Sequence, residues 1–231
     1  MQQRLVECVP NISEGRRSEV IDAVASVVNQ VEGVKLLDVD PGKSTNRTVI
    51  TFVGPPETVG EAAFQLIKKA AELIDMRNHR GEHPRMGATD VCPFVPVSGV
   101  SMEECVEIAR KLAERVGNEL GIPGYLYESA ALSVERQNLA TCRKGQYEGL
   151  AKLETPGGKP DFGPAVWNEQ TQRSGATAIG ARDFLIAYNI NLNTTSSRRA
   201  NAIAFDIRES GRVKREDGPG SPIVKDANGE P

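Results

Sequence analysis

The two histidines of this 231-residue chain stand four residues apart, in NHRGEHPRMGATD (Asn78–Asp90). Their spacing, H-x-x-E-H, matches the zinc-binding helix of one class of metalloprotease. That chemistry needs both imidazoles on successive turns of one helix, together with a third ligand. Here Gly81 interrupts the turn, Pro84 pushes His83 away from helical backbone angles, and the chain has no other histidine. The segment reads as a loop, and no metal is expected. A single imidazole remains, able to take and return one proton near neutral pH, a contribution of about 10² to 10⁴ in rate. His83, flanked by Glu82 and Arg85 and by the conformationally free Gly81 and Gly87, is the candidate. His79 ends a helix, where a positive charge is favoured in any case.

Three other motifs fail on context. DPGKST (Asp40–Thr45) resembles the end of a P-loop, but the first glycine would fall at Leu37, and a strand follows where a helix should open. GATAIGA (Gly175–Ala181) does not satisfy G-x-G-x-x-G. An RNA-binding sheet would need base-stacking aromatics in its first and third strands. LVECV has none, and RTVITFV has only Phe52.

Composition points the same way. The net charge of −3 gives no electrostatic footprint for nucleic acid or an anionic membrane. No apolar run approaches the roughly 20 residues of a membrane span. The N-terminus lacks the apolar core of a signal peptide. Cys8, Cys92, Cys105 and Cys142 form no C-x-x-C pair and suit reduced, mostly buried thiols of a cytoplasmic protein.

The elements that must position His83 follow from periodicity. Leu5–Val9 reads as a strand, the segment from about Ser18 as a helix closed by Gly33, and Val34–Val39 and Asn46–Val53 as strands. Pro55-Pro56 opens a long helix with Val59, Ala63, Leu66, Ala70 and Leu73 on one stripe. Val91–Val97 reads as a fourth strand whose prolines favour a sheet edge. This order is the split βαβ of ferredoxin-like α+β folds. A helix through Cys105–Leu120, a short strand at Tyr125–Tyr127 and a polar helical stretch to about Lys152 follow. ETPGGKPDFGP reads as a linker, Phe184–Leu192 as a strand and Ser197–Glu209 as a helix. The expected division is residues 1–178 and 179–231, the second unit being incomplete after one strand and one helix.

Strand order 4-1-3-2 brings the ends of strands 1 and 2 and the starts of strands 3 and 4 to one rim. That rim carries Asn11, Ser13, Asp38, Asp40, Asn46, Arg47 and the histidine loop, and the helices leave the opposite sheet face open. For Asp40 and the arginines, a salt bridge at the rim is as good a reading as a site.

ECVPNISEG (Glu7–Gly15), LLDVDPGKSTNRTVITFVG (Leu36–Gly54), GEHPRMGATDVCPFVPV (Gly81–Val97), PDFGP (Pro160–Pro164) and FLIAYNINL (Phe184–Leu192) together resemble the formiminotransferase domain, in order and over the whole chain. The resemblance implies two ferredoxin-like subdomains enclosing a substrate tunnel, and usually a homodimer. It implies transfer of a formimino group from N-formimino-L-glutamate to N5 of tetrahydrofolate, which is the acceptor co-substrate. It maps the catalytic histidine onto His83. It also maps a folate-contacting segment onto roughly Gly163–Gly175, with Gly163, Pro164, Ala165, Trp167, Ser174 and Gly175 as candidates. Within that reading His83 shuttles the proton, and Asp40 orients it or stabilises the cationic centre. Arg47 or Arg85 clamps substrate carboxylates, and Asn11, Ser13 and Asn46 offer polar contacts. The alternative is a folate-binding or dimerisation module without turnover, left by truncation of such an enzyme.

Overall fold

A computed structural model describes residues 3–155, 158–186 and 190–207. The chain forms two compact units, Met1–Phe184 and Leu185–Pro231. In the first, strands β1 (Leu5–Cys8) and β2 (Asn11–Ile12) are two halves of one line, broken at Val9-Pro10. Helix α1 (Ser18–Ser26), β3 (Lys35–Gly42), β4 (Arg47–Gly54), α2 (Val59–Leu73), β5 (Thr89–Ser98), α3 (Met102–Leu120) and β6 (Gly124–Glu128) follow. After β6 come the short helices α4 (Leu139–Cys142), α5 (Gln146–Gly149) and α6 (Glu169–Ser174), and then strand β7 (Thr177–Ala181). The sheet order is β3, β4, β1/β2, β5, β7, β6. Its first four positions are the ferredoxin-like arrangement expected from the sequence. β7 and β6 extend it, β7 running parallel to β5 and β6 parallel to β7.

Period-two burial makes β4 a good sheet element, with Thr48, Ile50 and Phe52 on the helix side. The buried stripes of α2 (Val59, Ala63, Leu66, Ala70) and α3 (Cys105, Ala109, Leu112, Val116) close over that side. Helix α3 begins with a capping box, Ser101 and Glu104 each bonding the other's backbone N–H, and ends at left-handed Gly121. Phe52 and Phe94 are fully buried, each contributing about 1.5–3 kcal/mol of apolar burial.

Several expectations need correction. The Val91–Val97 strand is interior, paired with β1 and β2 on one side and β7 on the other. Proline loses only its donor. Its carbonyl still accepts, as Pro93 O does from Val9 N–H at 3.2 Å. β7 was missed because TAIGA, buried on both faces, shows no alternation. Among the described residues, the sheet face away from the helices is left partly exposed over β3, β4 and β1. Over β5, β7 and β6 a strap of residues 134–153 covers it, packing Leu150, Leu153 and Tyr147 on Tyr125, Tyr127 and Val91. That strap is the polar stretch read as helical, and it forms only α4, α5 and single 3₁₀ turns.

The described part of the glycine- and proline-rich segment docks on β6 and is no interdomain linker. Asp161 N–H donates to Gly124 O at 2.8 Å, and Gly124 N–H donates to Phe162 O at 3.1 Å. β7 belongs to the first unit's sheet, so that unit runs past residue 178 to Phe184. Of the expected strand Phe184–Leu192, Phe184 ends the first unit; residues 184–186 and 190–192 have no regular secondary structure, and 187–189 lie outside the described residues. Helix α7 spans Ser197–Ile207, the two expected residues beyond it also lying outside.

Candidate active site

Strand registers build the rim. Ile12 stands opposite both Thr48 and Thr89, Gly42 opposite Arg47, and Gly124 opposite Thr177. The ends of β2 and β3 and the starts of β4, β5, β6 and β7 therefore share one edge. The histidine loop, residues 79–88, is not helical, as Gly81 and Pro84 require.

The two histidines have opposite hydrogen-bond settings. His79 is buried, and its Nε2 lies 2.8 Å from the Asn46 carbonyl. A carbonyl only accepts, so Nε2 carries the hydrogen, and Nδ1 receives the Arg85 Nε–H at 3.3 Å. Both ring nitrogens are used, and burial, ahead of the nearby charges, lowers this imidazole's pKa. In His83, which is partly exposed, Nδ1 lies 2.6 Å from the Pro84 carbonyl. Nδ1 therefore holds the hydrogen, and Nε2 of the neutral ring keeps its lone pair. Burial and then the positive charge of Arg47 lower the His83 pKa, while the Pro84 carbonyl opposes the shift. A neutral imidazole with one oriented nitrogen and one basic nitrogen is equipped for proton transfer.

Beside it lies a buried ionic cluster. Asp90 is fully buried, its Oδ1 accepting the Met86 N–H at 2.9 Å. Oδ2 receives Arg47 Nη1 and, at 2.5 Å, Arg143 Nη2. Arg47 Nε donates to Asn11 Oδ1 at 3.1 Å. Neither Asp90 nor Arg143 was singled out from the sequence. The strap delivers Arg143 from 53 positions away, and no local pattern announces such a contact.

The remaining candidates divide. Asp40 lies on the open sheet face opposite Val49, which in turn faces Asn11. Two strand spacings, about 10 Å, separate Asp40 from Asn11, and no hydrogen bond or ion pair joins Asp40 to His83 among the described residues. Arg85 is occupied: it grips Glu148 with two bonds of 2.8 and 2.9 Å, reaches Gln146 at 3.2 Å and stacks over Tyr147. That grip, first through its hydrogen bonds, holds the Glu148 pKa down at about 2. Asn46 adopts left-handed angles (φ 49°) and ties Gly15 N–H to Arg80 O through its amide. Ser13 Oγ donates to Gly87 O at 2.7 Å. Ser13 and Asn46 also border a cleft of about 310 Å³ with Glu14, Arg16, Arg17 and His79.

The Gly163–Gly175 segment reaches the same loop at its far end. Ala88 N–H donates to Ser174 O at 2.8 Å and Ala176 N–H to Met86 O at 2.9 Å. Gly87 and Gly175 face each other so closely that a Cβ on either would lie about 2 Å from the other segment's carbonyl oxygen. Trp167 packs edge-on against Tyr147 at 5.5 Å. Gly163, Pro164 and Ala165 lie farther back, Gly163 beside Gly117 of α3. Among the described residues no three metal-ligating side chains converge, and no helix is long and apolar enough to cross a membrane.

These features define an α+β domain of ferredoxin-like build whose rim carries one histidine with a basic nitrogen free of hydrogen bonds among the described residues, beside an arginine–carboxylate cluster. Residues 5–182 match the model of the formiminotransferase domain, N-terminal subdomain, and residues 187–226 that of the formiminotransferase domain. The chain belongs to the formiminotransferase family. It is 50% identical to a glutamate formimidoyltransferase of Streptococcus pyogenes serotype M1 over 209 residues, covering 90% of this chain and 69% of that one. It is 54% identical to the formimidoyltransferase-cyclodeaminase of Rattus norvegicus over 216 residues, or 93% of this chain and 39% of the relative. The Gallus gallus counterpart is 56% identical over 219 residues, with 94% and 39% covered. The chain thus spans about two fifths of the length of these longer relatives.

Proposed function

We propose that the chain transfers the formimino group of N-formimino-L-glutamate to N5 of tetrahydrofolate, giving 5-formimino-tetrahydrofolate and L-glutamate, a step of histidine breakdown and one-carbon metabolism. The observation that carries this is the setting of His83, with Nδ1–H on the Pro84 carbonyl and Nε2 free among the described residues, at the rim of a family domain whose relatives bear the transferase name. As N5 attacks the amidine carbon it becomes cationic and must lose a proton, while the departing glutamate nitrogen must gain one. His83 Nε2 takes the first proton and returns it to the leaving nitrogen, so the ring is neutral at the start and at the end. Asp40, on the open sheet face, stabilises the cationic tetrahedral centre. Asn11 and Arg47 contact the amino-acid substrate. Ser174, Gly175 and Trp167 support the folate segment.

The test is spectroscopic detection of 5-formimino-tetrahydrofolate from purified protein and both substrates. The expected result is product formation dependent on both. Binding of tetrahydrofolate without turnover would assign the non-catalytic module instead.

We further propose a cytoplasmic homodimer. Phe184, Leu185, Ile186 and Ile190 are exposed apolar side chains that association would cover. Light scattering is expected to return twice the chain mass, and a monomeric mass would reject the dimer.

A further inference from the structure

Resting on that reading, we propose that Arg143 is a specificity-determining residue which, with Arg47, binds a carboxylate of the amino-acid substrate beside His83.

Two guanidinium groups converge on one carboxylate oxygen, Asp90 Oδ2, while Oδ1 is taken by the Met86 N–H. The side chains of Arg47 and Arg143 are only 11% and 14% exposed, and that of Asp90 is 0%. Two positive charges against one negative charge leave the cluster one unit positive. Withdrawing an uncompensated ion from water is expensive, and an anion seated on the pair removes the imbalance. An unused donor is also in place. Among the described residues Arg143 Nε is buried without a hydrogen-bond partner. The planar forks of the two arginines suit a carboxylate, which accepts two parallel N–H bonds. Arg85, the other arginine read from the sequence as a clamp, spends its donors on Glu148, Gln146 and His79. The charges of Arg47 and Arg143 are both felt at His83, so an anion seated there would lie near the basic ring.

Both substrates carry carboxylates, and separate kinetics distinguish them. Arg143→Gln is expected to raise KM for N-formimino-L-glutamate on the order of 100-fold. KM for tetrahydrofolate and kcat should change only a few-fold. Arg143→Lys, keeping the charge without the fork, should recover part of the loss. Equal losses for both substrates would mark a structural role and overturn the proposal, as would a rise confined to tetrahydrofolate.

Binding is read without turnover. Calorimetry on the intact chain should show L-glutamate binding to wild type and its loss in Arg143→Gln. The Nε–H resonances of Arg47 and Arg143 should move on adding L-glutamate to wild type and stay in place with its uncharged diamide. Unmoved resonances would overturn the proposal even if the variant failed to fold. Glutamate binding through Arg143 in a chain without transferase activity would sink the transfer reading alone. Turnover with unchanged KM and glutamate affinity in Arg143→Gln would sink the carboxylate site alone.

Discussion

His83→Ala is expected to fold and to lose about 10² to 10⁴ in kcat, the usual contribution of a positioned acid–base group. The side chain is partly exposed, and its one hydrogen bond among the described residues is to the carbonyl of the next residue, so little of the fold depends on it. The pH profile carries a sign as well. The neutral ring is the active base, and burial, followed by the charge of Arg47 and by that of Arg143, disfavours imidazolium. The Pro84 carbonyl and Asp90 act the other way without reversing the direction. The acid limb of kcat/KM should therefore lie below the ordinary histidine value of about 6.5. A carboxylate on the two arginines would cancel part of their field, so the corresponding limb in kcat should move upward. Full activity in His83→Ala, with an unchanged acid limb, would remove the proton shuttle from the mechanism.

Asp90→Ala should cost about 3–5 kcal/mol of stability, because it strips the shared anion from two largely buried guanidinium groups and an acceptor from the Met86 N–H. In urea the unfolding midpoint should fall with little change in slope, and the thermal midpoint should drop on the order of 10 °C. An Asp40→Ala control should lie within about 0.5 kcal/mol of wild type, since Asp40 is exposed and makes no ion pair among the described residues. Equal stability of the two variants would show that the Asp90 cluster carries no structural weight.

Much of the first four-strand arrangement was legible, because β4 alternates cleanly and α2 and α3 carry continuous apolar stripes. The same periodicity was silent for β7, whose small residues are buried on both faces. It misled for the prolines of β5, because a missing N–H excludes a strand from an interior place only where a neighbour needs that donor. The site was legible in its loop and not in its charges. Gly81 and Pro84 dictate that His83 leaves the helix, a local fact. The convergence of Arg47, Asp90 and Arg143 depends on three segments brought together by topology and by the strap. Arg85 shows the converse: its neighbourhood to His83 in sequence suggested a substrate contact, and its side chain turns to Glu148 and His79.

The position of β7 bears on how such a chain emerges from a ribosome. Tyr125–Tyr127 are translated some 50 residues before Thr177–Ala181, yet β6 reaches the sheet only through β7. A nascent chain that stops growing between the two would hold an aromatic ribbon with no neighbour to zip against, and β5 would keep one bare flank. Protection from misassembly during synthesis would then fall to the strap, which is made earlier and already lies over those tyrosines.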